Sequence, residues 1–188
     1  MILLVDNYDS FTHNLWQALS ACAGGEEVRV VRNDALPPDE LVALSPRRVV
    51  LSPGPGHPAA SRLSLLAPEL FPRTPLLGVC LGHQALALCH GARVERSPRP
   101  THGRPVEVRH DRSGLFAALP DPFPAALYHS LVVLDEALPS CLRVTARTPA
   151  GDIMALRHAD RPHAGVQFHP ESFLTPDGPA ILRAFLED

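Results

Sequence analysis

One cysteine lies in a sequence pattern that is typical of a reactive nucleophile. Cys80 stands between Gly78 and Gly82, after the apolar residues 76–79 and before a helix-forming stretch that continues to residue 90. This pattern predicts a strand, a tight turn that carries the thiol, and a helix, and the glycines keep side chains out of the bend. The amides and dipole at a helix N-terminus favour a thiolate. The alternative is that Cys80 is simply a small buried core residue.

A cysteine nucleophile needs a base, and the base needs a group that fixes its tautomer. Of the ten histidines, His169 is the most suggestive, because it ends the run 165–168 and would leave the tip of a strand. Glu171 follows two residues later, on the same side of an extended chain, and Pro170 fixes the link between them. We therefore predict that Cys80, His169 and Glu171 act together. A lone histidine more commonly has a surface or structural role.

The first half of the chain alternates between short apolar runs and helical segments. The runs predict strands at residues 2–5, 28–31, 48–51 and 76–79. The segments between them predict helices at residues 13–22, capped by Thr12, at 38–44 and at 63–70. Continuous apolar strands that alternate with helices are typical of a three-layer α/β fold with a parallel sheet.

The second half of the chain is rich in short strand-like runs separated by prolines, and its last helix is predicted at residues 179–186. We expect one α/β domain over residues 1–188. Its open, mostly parallel sheet should carry helices on both faces, with antiparallel strands added in the C-terminal half.

A Pro/Gly-rich loop at residues 52–58 follows the third predicted strand. Ligand-binding loops of open α/β sheets gather at the carboxyl ends of the strands. The two glycines let backbone amides approach a ligand, and the prolines hold the shape of the loop before anything binds. The alternative is an ordinary Pro/Gly turn.

Composition excludes several other functions. The chain has 188 residues, 45% of them hydrophobic, and a net charge of −3, so it lacks the basic surplus of a nucleic-acid-binding protein. All 17 basic residues are arginines, which excludes Schiff-base lysines and lysine-dependent phosphate loops. No leader or membrane-length apolar stretch is present, so we expect a cytoplasmic protein without membrane association and with reduced cysteines. Cys80 and His83 lack a second metal half-site, so we expect no metal and no cofactor.

Several segments together make the chain resemble class I glutamine amidotransferases of the triad type, whose fold is flavodoxin-like. Within that family it is similar to the glutaminase component of anthranilate synthase and of aminodeoxychorismate synthase. The segments that carry the resemblance occur in the family's order and are residues 6–12, 52–56, 78–84, 128–131 and 165–172. Their joint occurrence is far more specific than any one of them.

The resemblance implies a mechanism. Cys80 would attack the side-chain amide of L-glutamine to give a γ-glutamyl thioester and ammonia, while His169 moves protons and Glu171 orients His169. The backbone N–H groups of Gly54 and Leu81 would form the oxyanion hole. The substrate-binding residues implied by the resemblance are Gly54, Pro55, Gly56, Gln84, Ser130 and Leu131.

The resemblance also implies a partner, because ammonia is mostly ammonium at neutral pH and would be lost without a nearby acceptor. That partner would be a chorismate-binding synthase subunit, which makes anthranilate for tryptophan or 4-amino-4-deoxychorismate for folate in a heteromeric complex. We place the loop 7–11 and residues 56–58 at the interface. Arg104 stands where the family usually has lysine, which puts partner fit in doubt more than the chemistry.

Two other functions fit the same residues. One is a stand-alone cysteine hydrolase for γ-glutamyl compounds, which would not depend on a synthase. The other is a non-catalytic subunit that binds glutamine and regulates a partner, although an intact set of Cys80, His169 and Glu171 weighs against it.

Overall fold

The computed structural model describes residues 1–187. The helices are α1 (Thr12–Cys22), α2 (Pro38–Ala43), α3 (Arg62–Leu70), α4 (Leu81–Cys89) and α5 (Gly178–Glu187). The strands are β1 (Ile2–Asp6), β2 (Val28–Arg32), β3 (Arg48–Leu51), β4 (Leu76–Val79), β5 (Val94–His110), β6 (Phe123–Val133), β7 (Leu142–Arg147), β8 (Ile153–His158) and β9 (His163–Val166). None of the helices within these residues is both long and apolar enough to cross a membrane.

All nine strands form one sheet in the order β2-β1-β3-β4-β9-β8-β7-β5-β6. The first five strands of this order pair in parallel, and the remaining pairs are antiparallel. The continuous apolar runs are the reason for the parallel half, because β1, β3 and β4 are buried on both faces of the sheet. The predicted α/β fold class is confirmed.

Helices cover both faces of the parallel half. Alternate residues of β1 point to opposite faces, so Leu4 packs in the cluster that contains Leu15 of α1 and Leu182 of α5. Leu3 packs instead with Leu41 of α2, and the same cluster includes residues of α3 and α4. Each fully buried leucine contributes about 1.5–3 kcal/mol by leaving water.

The C-terminal strands are longer than the proline spacing predicted. β5 extends over 17 residues and contains Pro98, Pro100 and Pro105. The proline-rich part of β5 pairs with β6 along one edge. Among the described residues, no strand pairs with its other edge, because β7 pairs with β5 only at Arg109 and His110. Proline, which has no N–H to donate, is tolerated in a strand with such a free edge. The β5–β6 pairing also shifts register between Arg96 and Thr101. Pro98 and Pro100 lie within this irregular stretch, where a regular ladder hydrogen bond is not required of them.

The predicted capping role of Thr12 is wrong. Phe11 occupies the N-cap position of α1, and no side chain caps this helix. The hydroxyl of Thr12 donates instead to Asp6 Oδ1 at 2.7 Å, at the carboxyl end of β1. Thr12 therefore ties the first loop to the sheet.

Candidate functional site

The predicted strand, turn and helix around Cys80 are present. β4 ends at Val79, α4 begins at Leu81, and Cys80 between them has φ 51° and ψ −101°. A non-glycine residue in this region is strained, and such strain is held in place only by the surrounding packing. A Cβ atom at Gly78 would clash with the carbonyl of Gly82, so this turn accepts no side chain there.

His169 and Glu171 form a buried pair. His169 Nδ1 lies 2.7 Å from Glu171 Oε1, and their side chains are only 4% and 1% exposed. The prediction of an extended link between them is wrong, because β9 ends at Val166 and the chain turns at Pro170. This turn brings the Glu171 carboxylate within hydrogen-bonding distance of the His169 ring. The hydroxyl of Thr175 donates to the His169 carbonyl at 2.7 Å, which anchors that turn.

The electrostatic environment separates His169 from the other buried histidines near Cys80. Burial opposes the charged form of His169, but the hydrogen bond to Glu171 and the charges of Glu171 and of the nearby Cys80 outweigh it and raise its pKa well above the usual value. Burial lowers the pKa of His83 and of His129 to about 4, so both are neutral at pH 7. His169 Nε2 is buried and has no hydrogen-bond partner within residues 1–187. It is therefore free to exchange a proton with the neighbouring thiol.

Cys80 opens into a cavity of about 180 Å³. All of the predicted oxyanion and substrate-binding residues lie on its wall, which is lined by Gly54, Pro55, Gly56, Cys80, Leu81, Gln84, His102, Tyr128, His129, Ser130 and Leu131. These residues come from the loop after β3, the start of α4, and the strands β5 and β6. The fold thus brings Gly54 and Leu131, which are 77 positions apart in the sequence, to the wall of one cavity.

A buried amide holds the Gly54 loop in place. Asn7 donates its backbone N–H to Ser52 Oγ and its side-chain N–H to the Ser52 carbonyl, both at 2.8 Å. Its side-chain oxygen accepts from Asn33 and Ser64 at 3.0 and 2.7 Å. A Cβ atom at Gly54 would lie 2.6 Å from Asn7 Cβ, so the two backbones pack too closely for any other residue.

A chain of amide hydrogen bonds reaches the sulfur. Gln167 Nε2 donates to Cys80 Sγ at 3.6 Å, and Gln167 Oε1 accepts from Gln84 Nε2 at 3.0 Å. Gln84 Nε2 also donates to the Leu131 carbonyl at 2.9 Å. A donor aimed at the sulfur stabilises a thiolate relative to a thiol.

The His169–Glu171 pair also borders a second, larger hollow of about 520 Å³. Tyr128 lines both this hollow and the Cys80 cavity, and its ring meets the His169 ring edge-on with centroids 5.0 Å apart. Phe11 covers the same imidazole at 6.4 Å. The rim of the hollow carries Phe173, whose surface is 87% exposed.

Asp9 is a further carboxyl beside the pair. Its Oδ2 is buried without a hydrogen-bond partner within residues 1–187. Burial and the charge of Glu171 raise the pKa of Asp9, while His169 lowers it. The first loop therefore contributes charge as well as aromatic contacts to the surroundings of His169.

Sequence reasoning assigned no role to Gln167 or His102, and it placed Asn7 and Asp9 at the partner interface with the rest of the loop 7–11 rather than in the site. A signal for Gln167 was available, since it precedes His169 by two residues and such residues share a side of an extended chain. His102 places Nε2 2.9 Å from Ser130 Oγ, a contact between two strands that spacing alone does not predict. The remaining contacts depend on loops meeting in space.

The fold and the site define a class of protein: an α/β enzyme with a strained cysteine at a strand-to-helix turn and a buried histidine–carboxylate pair beside it. The family model "Glutamine amidotransferase class-I" matches residues 3–188. The chain belongs to the class I glutamine amidotransferase family.

Alignments with named relatives cover essentially the whole chain. An aminodeoxychorismate/anthranilate synthase component 2 of Bacillus subtilis is 49% identical over 188 residues, which is 100% of this chain and 96% of the relative. An aminodeoxychorismate synthase component 2 of Klebsiella aerogenes is 47% identical, with 99% of each chain covered. An anthranilate synthase component 2 of Pseudomonas aeruginosa is also 47% identical, covering 99% of this chain and 94% of the relative.

Solved structures share the fold. A putative GMP synthase component of Thermoplasma acidophilum superimposes with a TM-score of 0.87 at 27% identity, over 99% of this chain and 92% of that one. A glutamine amidotransferase of Thermotoga maritima, at 16% identity, superimposes with a TM-score of 0.76 over 99% and 96% of the two chains. The second likeness supports the architecture alone.

Proposed function

We propose that this chain is a glutaminase component that hydrolyses L-glutamine and passes ammonia to a chorismate-binding synthase subunit. The observation that carries the proposal is the cavity in which Cys80 faces the Gly54 loop, with the buried His169–Glu171 pair beside the sulfur. The names of the relatives support chorismate as the acceptor that the partner binds.

The reaction uses two half-cycles at one sulfur. His169 Nε2 takes the proton of Cys80, and the thiolate attacks the side-chain amide carbon of glutamine. The N–H groups of Gly54 and Leu81 stabilise the oxyanion that forms. Its collapse breaks the C–N bond and expels ammonia with the proton from His169. Water, deprotonated by His169, then cleaves the thioester and releases glutamate.

Substrate positioning follows from the hydrogen bonds on the cavity wall. Gln84 uses its side-chain N–H groups on Leu131 and Gln167, which leaves its oxygen for the amide N–H of the substrate. Ser130, held by His102, and the amides of the Gly54 loop are the groups for the amino-acid end of glutamine. No step requires a metal or a cofactor.

The partner would dock over the hollow beside His169. Phe11 and Phe173 line this hollow and are 41% and 87% exposed, and Tyr8, in the same loop as Phe11, is 49% exposed. Exposed aromatic groups of this kind are enriched in protein interfaces. Asn7 is only 3% exposed and hydrogen-bonds Ser52 beside the Gly54 loop. Within the loop 7–11, we therefore expect the aromatic residues Tyr8 and Phe11, rather than Asn7, to contact the partner.

Reconstitution tests the proposed function. The purified chain is mixed with an anthranilate synthase subunit or an aminodeoxychorismate synthase subunit, glutamine and chorismate are added, and the product is identified. We expect glutamine-dependent amination with at least one subunit and a sharp rise in glutaminase activity when it binds. Full glutaminase activity without any subunit would favour a stand-alone hydrolase. Failure of a glutamine-like chloroketone to label Cys80 would favour a non-catalytic subunit.

Replacing Gln167 with leucine is expected to slow thioester formation about 10- to 100-fold, because a hydrogen bond to a charged group contributes about 1.5–3 kcal/mol. The rate of Cys80 alkylation at pH 7 should fall in the same direction, while circular dichroism shows an intact fold. An unchanged alkylation rate in the folded variant would contradict this role for Gln167.

Replacing Tyr8 and Phe173 with alanine is expected to weaken complex formation at least tenfold, while glutaminase labelling by the chloroketone is retained. Loss of one buried interface aromatic group commonly costs more than about 1 kcal/mol. Val42→Ala is the matched control, since this α2 residue is 41% exposed and α2 carries none of the residues of the hollow. Unchanged association of the double variant would move the interface elsewhere.

A further inference from the structure

A second cluster of reactive side chains lies at the other end of α4. Cys89 ends this helix and His90 follows it, and both approach Glu69 of α3. The ligand-type atoms of Glu69, Cys89 and His90 lie within 4.8 Å of one another. The corresponding atoms of His90, Cys141 and His158 satisfy the same limit, so His90 joins the two groups.

The chemistry of these groups suits a borderline-soft transition metal. Imidazole nitrogen, thiolate sulfur and carboxylate oxygen are the ligands of tetrahedral zinc sites. His90 Nε2 is buried without a hydrogen-bond partner within residues 1–187, so no donor in the described part of the chain competes with a metal ion for its lone pair.

Hydrogen bonding decides which histidine is a ligand. His158 Nδ1 accepts from the backbone N–H groups of Asp160 and Arg161 at 3.1 and 3.0 Å. Neutral His158 therefore carries its proton on Nε2 and has no lone pair left for a metal. Its ring centroid lies 4.7 Å from that of His90, where its N–H is suited to donate to a ligand sulfur.

We propose that Glu69, Cys89, His90 and Cys141 form a zinc-type metal site at the carboxyl end of α4, with His158 and Arg161 as outer hydrogen-bonding partners. Arg161 Nη1 donates to Glu69 Oε1 at 2.8 Å and so orients the carboxylate. Zinc–ligand bonds of about 2.0–2.3 Å put tetrahedral ligands about 3.5 Å apart. The ligand atoms of Glu69, Cys89 and His90, which lie within 4.8 Å of one another, therefore close by up to about 1 Å on binding, and Cys141, within the same limit of His90, moves in as the fourth ligand.

The charges of the proposed site balance. Binding releases the two thiol protons of Cys89 and Cys141 to solvent, and no atom changes its oxidation state. The two thiolates and Glu69 then carry three negative charges, which the divalent ion and the Arg161 guanidinium neutralise.

Cobalt(II) is the probe for this site, and the full chain carrying Cys80→Ser is the parent protein, because the Cys80 thiol beside His169 could otherwise bind cobalt. We expect one equivalent of cobalt to produce visible bands of a tetrahedral ion and a near-ultraviolet thiolate-to-cobalt band. One equivalent of zinc should abolish both. Adding Cys89→Ser and Cys141→Ser should remove the thiolate band and weaken zinc binding more than about 100-fold, beyond the effect of losing an outer partner.

Cys22→Ser is the matched control, since Cys22 is a partly buried thiol that contacts Pro179 and lies outside the cluster. It should leave the spectrum and the zinc affinity unchanged. His90→Gln, checked by circular dichroism for an intact fold, should also weaken zinc binding at least tenfold. In parallel, zinc should protect Cys89 and Cys141, but not Cys22, from alkylation followed by mass spectrometry.

Two results would overturn the site. One is the absence of a thiolate-to-cobalt band in the folded Cys80→Ser parent. The other is a band of unchanged intensity in the variant that also lacks Cys89 and Cys141. Both outcomes leave the proposed glutaminase untouched, because none of the four ligands lines the Cys80 cavity.

Discussion

Replacing Cys80 with serine is expected to reduce glutamine-dependent product formation by the reconstituted complex at least 1,000-fold, roughly the scale seen when a covalent nucleophile is removed. A serine hydroxyl at this turn is a far weaker nucleophile than a thiolate paired with an imidazolium, so the thioester half-cycle cannot begin. Product formation from added ammonium should stay at the level of the unmodified complex, because the synthase subunit uses ammonia whatever its source.

The measurement follows chorismate-derived product with glutamine and with ammonium as alternative nitrogen donors. Cys22→Ser is the control, since its sulfur lies near Pro179 and outside the Cys80 cavity. Loss of the ammonium-dependent reaction in the Cys80 variant would contradict the division of labour between the two subunits. Retention of glutamine-dependent amination would show that Cys80 is not the nucleophile.

The sequence predicted the parallel half of the fold because each of its signals is local. The runs in β1, β3 and β4 are apolar at consecutive positions, which only a strand buried on both faces requires. Cys80 was identifiable for a similar reason, since the glycines that make its turn possible lie two residues away on either side. Pairing His169 with Glu171 needed only a separation of two residues.

The contacts that spacing could not predict join distant segments. Asn7 reaches the Gly54 loop from another strand end, and the sequence suggested instead that it lies at a partner interface. The continuity of β5 through three prolines depends on which of its edges is free, which is a property of the whole sheet. The cluster at His90 joins α3, the end of α4, the turn before β7 and the end of β8, so no ligand spacing along the chain could reveal it.

The surroundings of His169 link the chemistry to the expected docking face. Phe11 and Tyr128 pack edge-on against its ring from the side of the open hollow, and Glu171 holds Nδ1 from beneath. A partner that moves Phe11 therefore changes the packing of the imidazole without contacting the sulfur. This arrangement supplies a physical route for the rise in glutaminase activity that we expect on docking.

Glu171→Gln is expected to lower kcat/KM for glutamine hydrolysis about 100- to 10,000-fold, the range expected when the carboxylate behind a catalytic histidine loses its charge. Glutamine is close in size to glutamate and can still accept the Nδ1–H of His169. It supplies no charge for the imidazolium, so the pKa of His169 should fall. If its amide N–H faces Nδ1 instead, the ring is held in the wrong tautomer.

The pH dependence separates this effect from misfolding. The thiolate–imidazolium form is lost when pH rises through the pKa of His169, so the alkaline limb of kcat/KM should move to lower pH in the variant. The raised pKa of His169 stabilises the folded protein fully below about pH 6.5, the ordinary histidine value, and this contribution disappears as pH rises through the native pKa. The loss of thermal stability caused by Glu171→Gln should therefore be larger at acidic pH than at alkaline pH. Glu40→Gln, an exposed change in α2, is the control and should alter neither the alkaline limb of kcat/KM nor the thermal stability. If Glu171→Gln leaves the alkaline limb of kcat/KM unshifted, the Glu171 carboxylate has no place in the proposed mechanism.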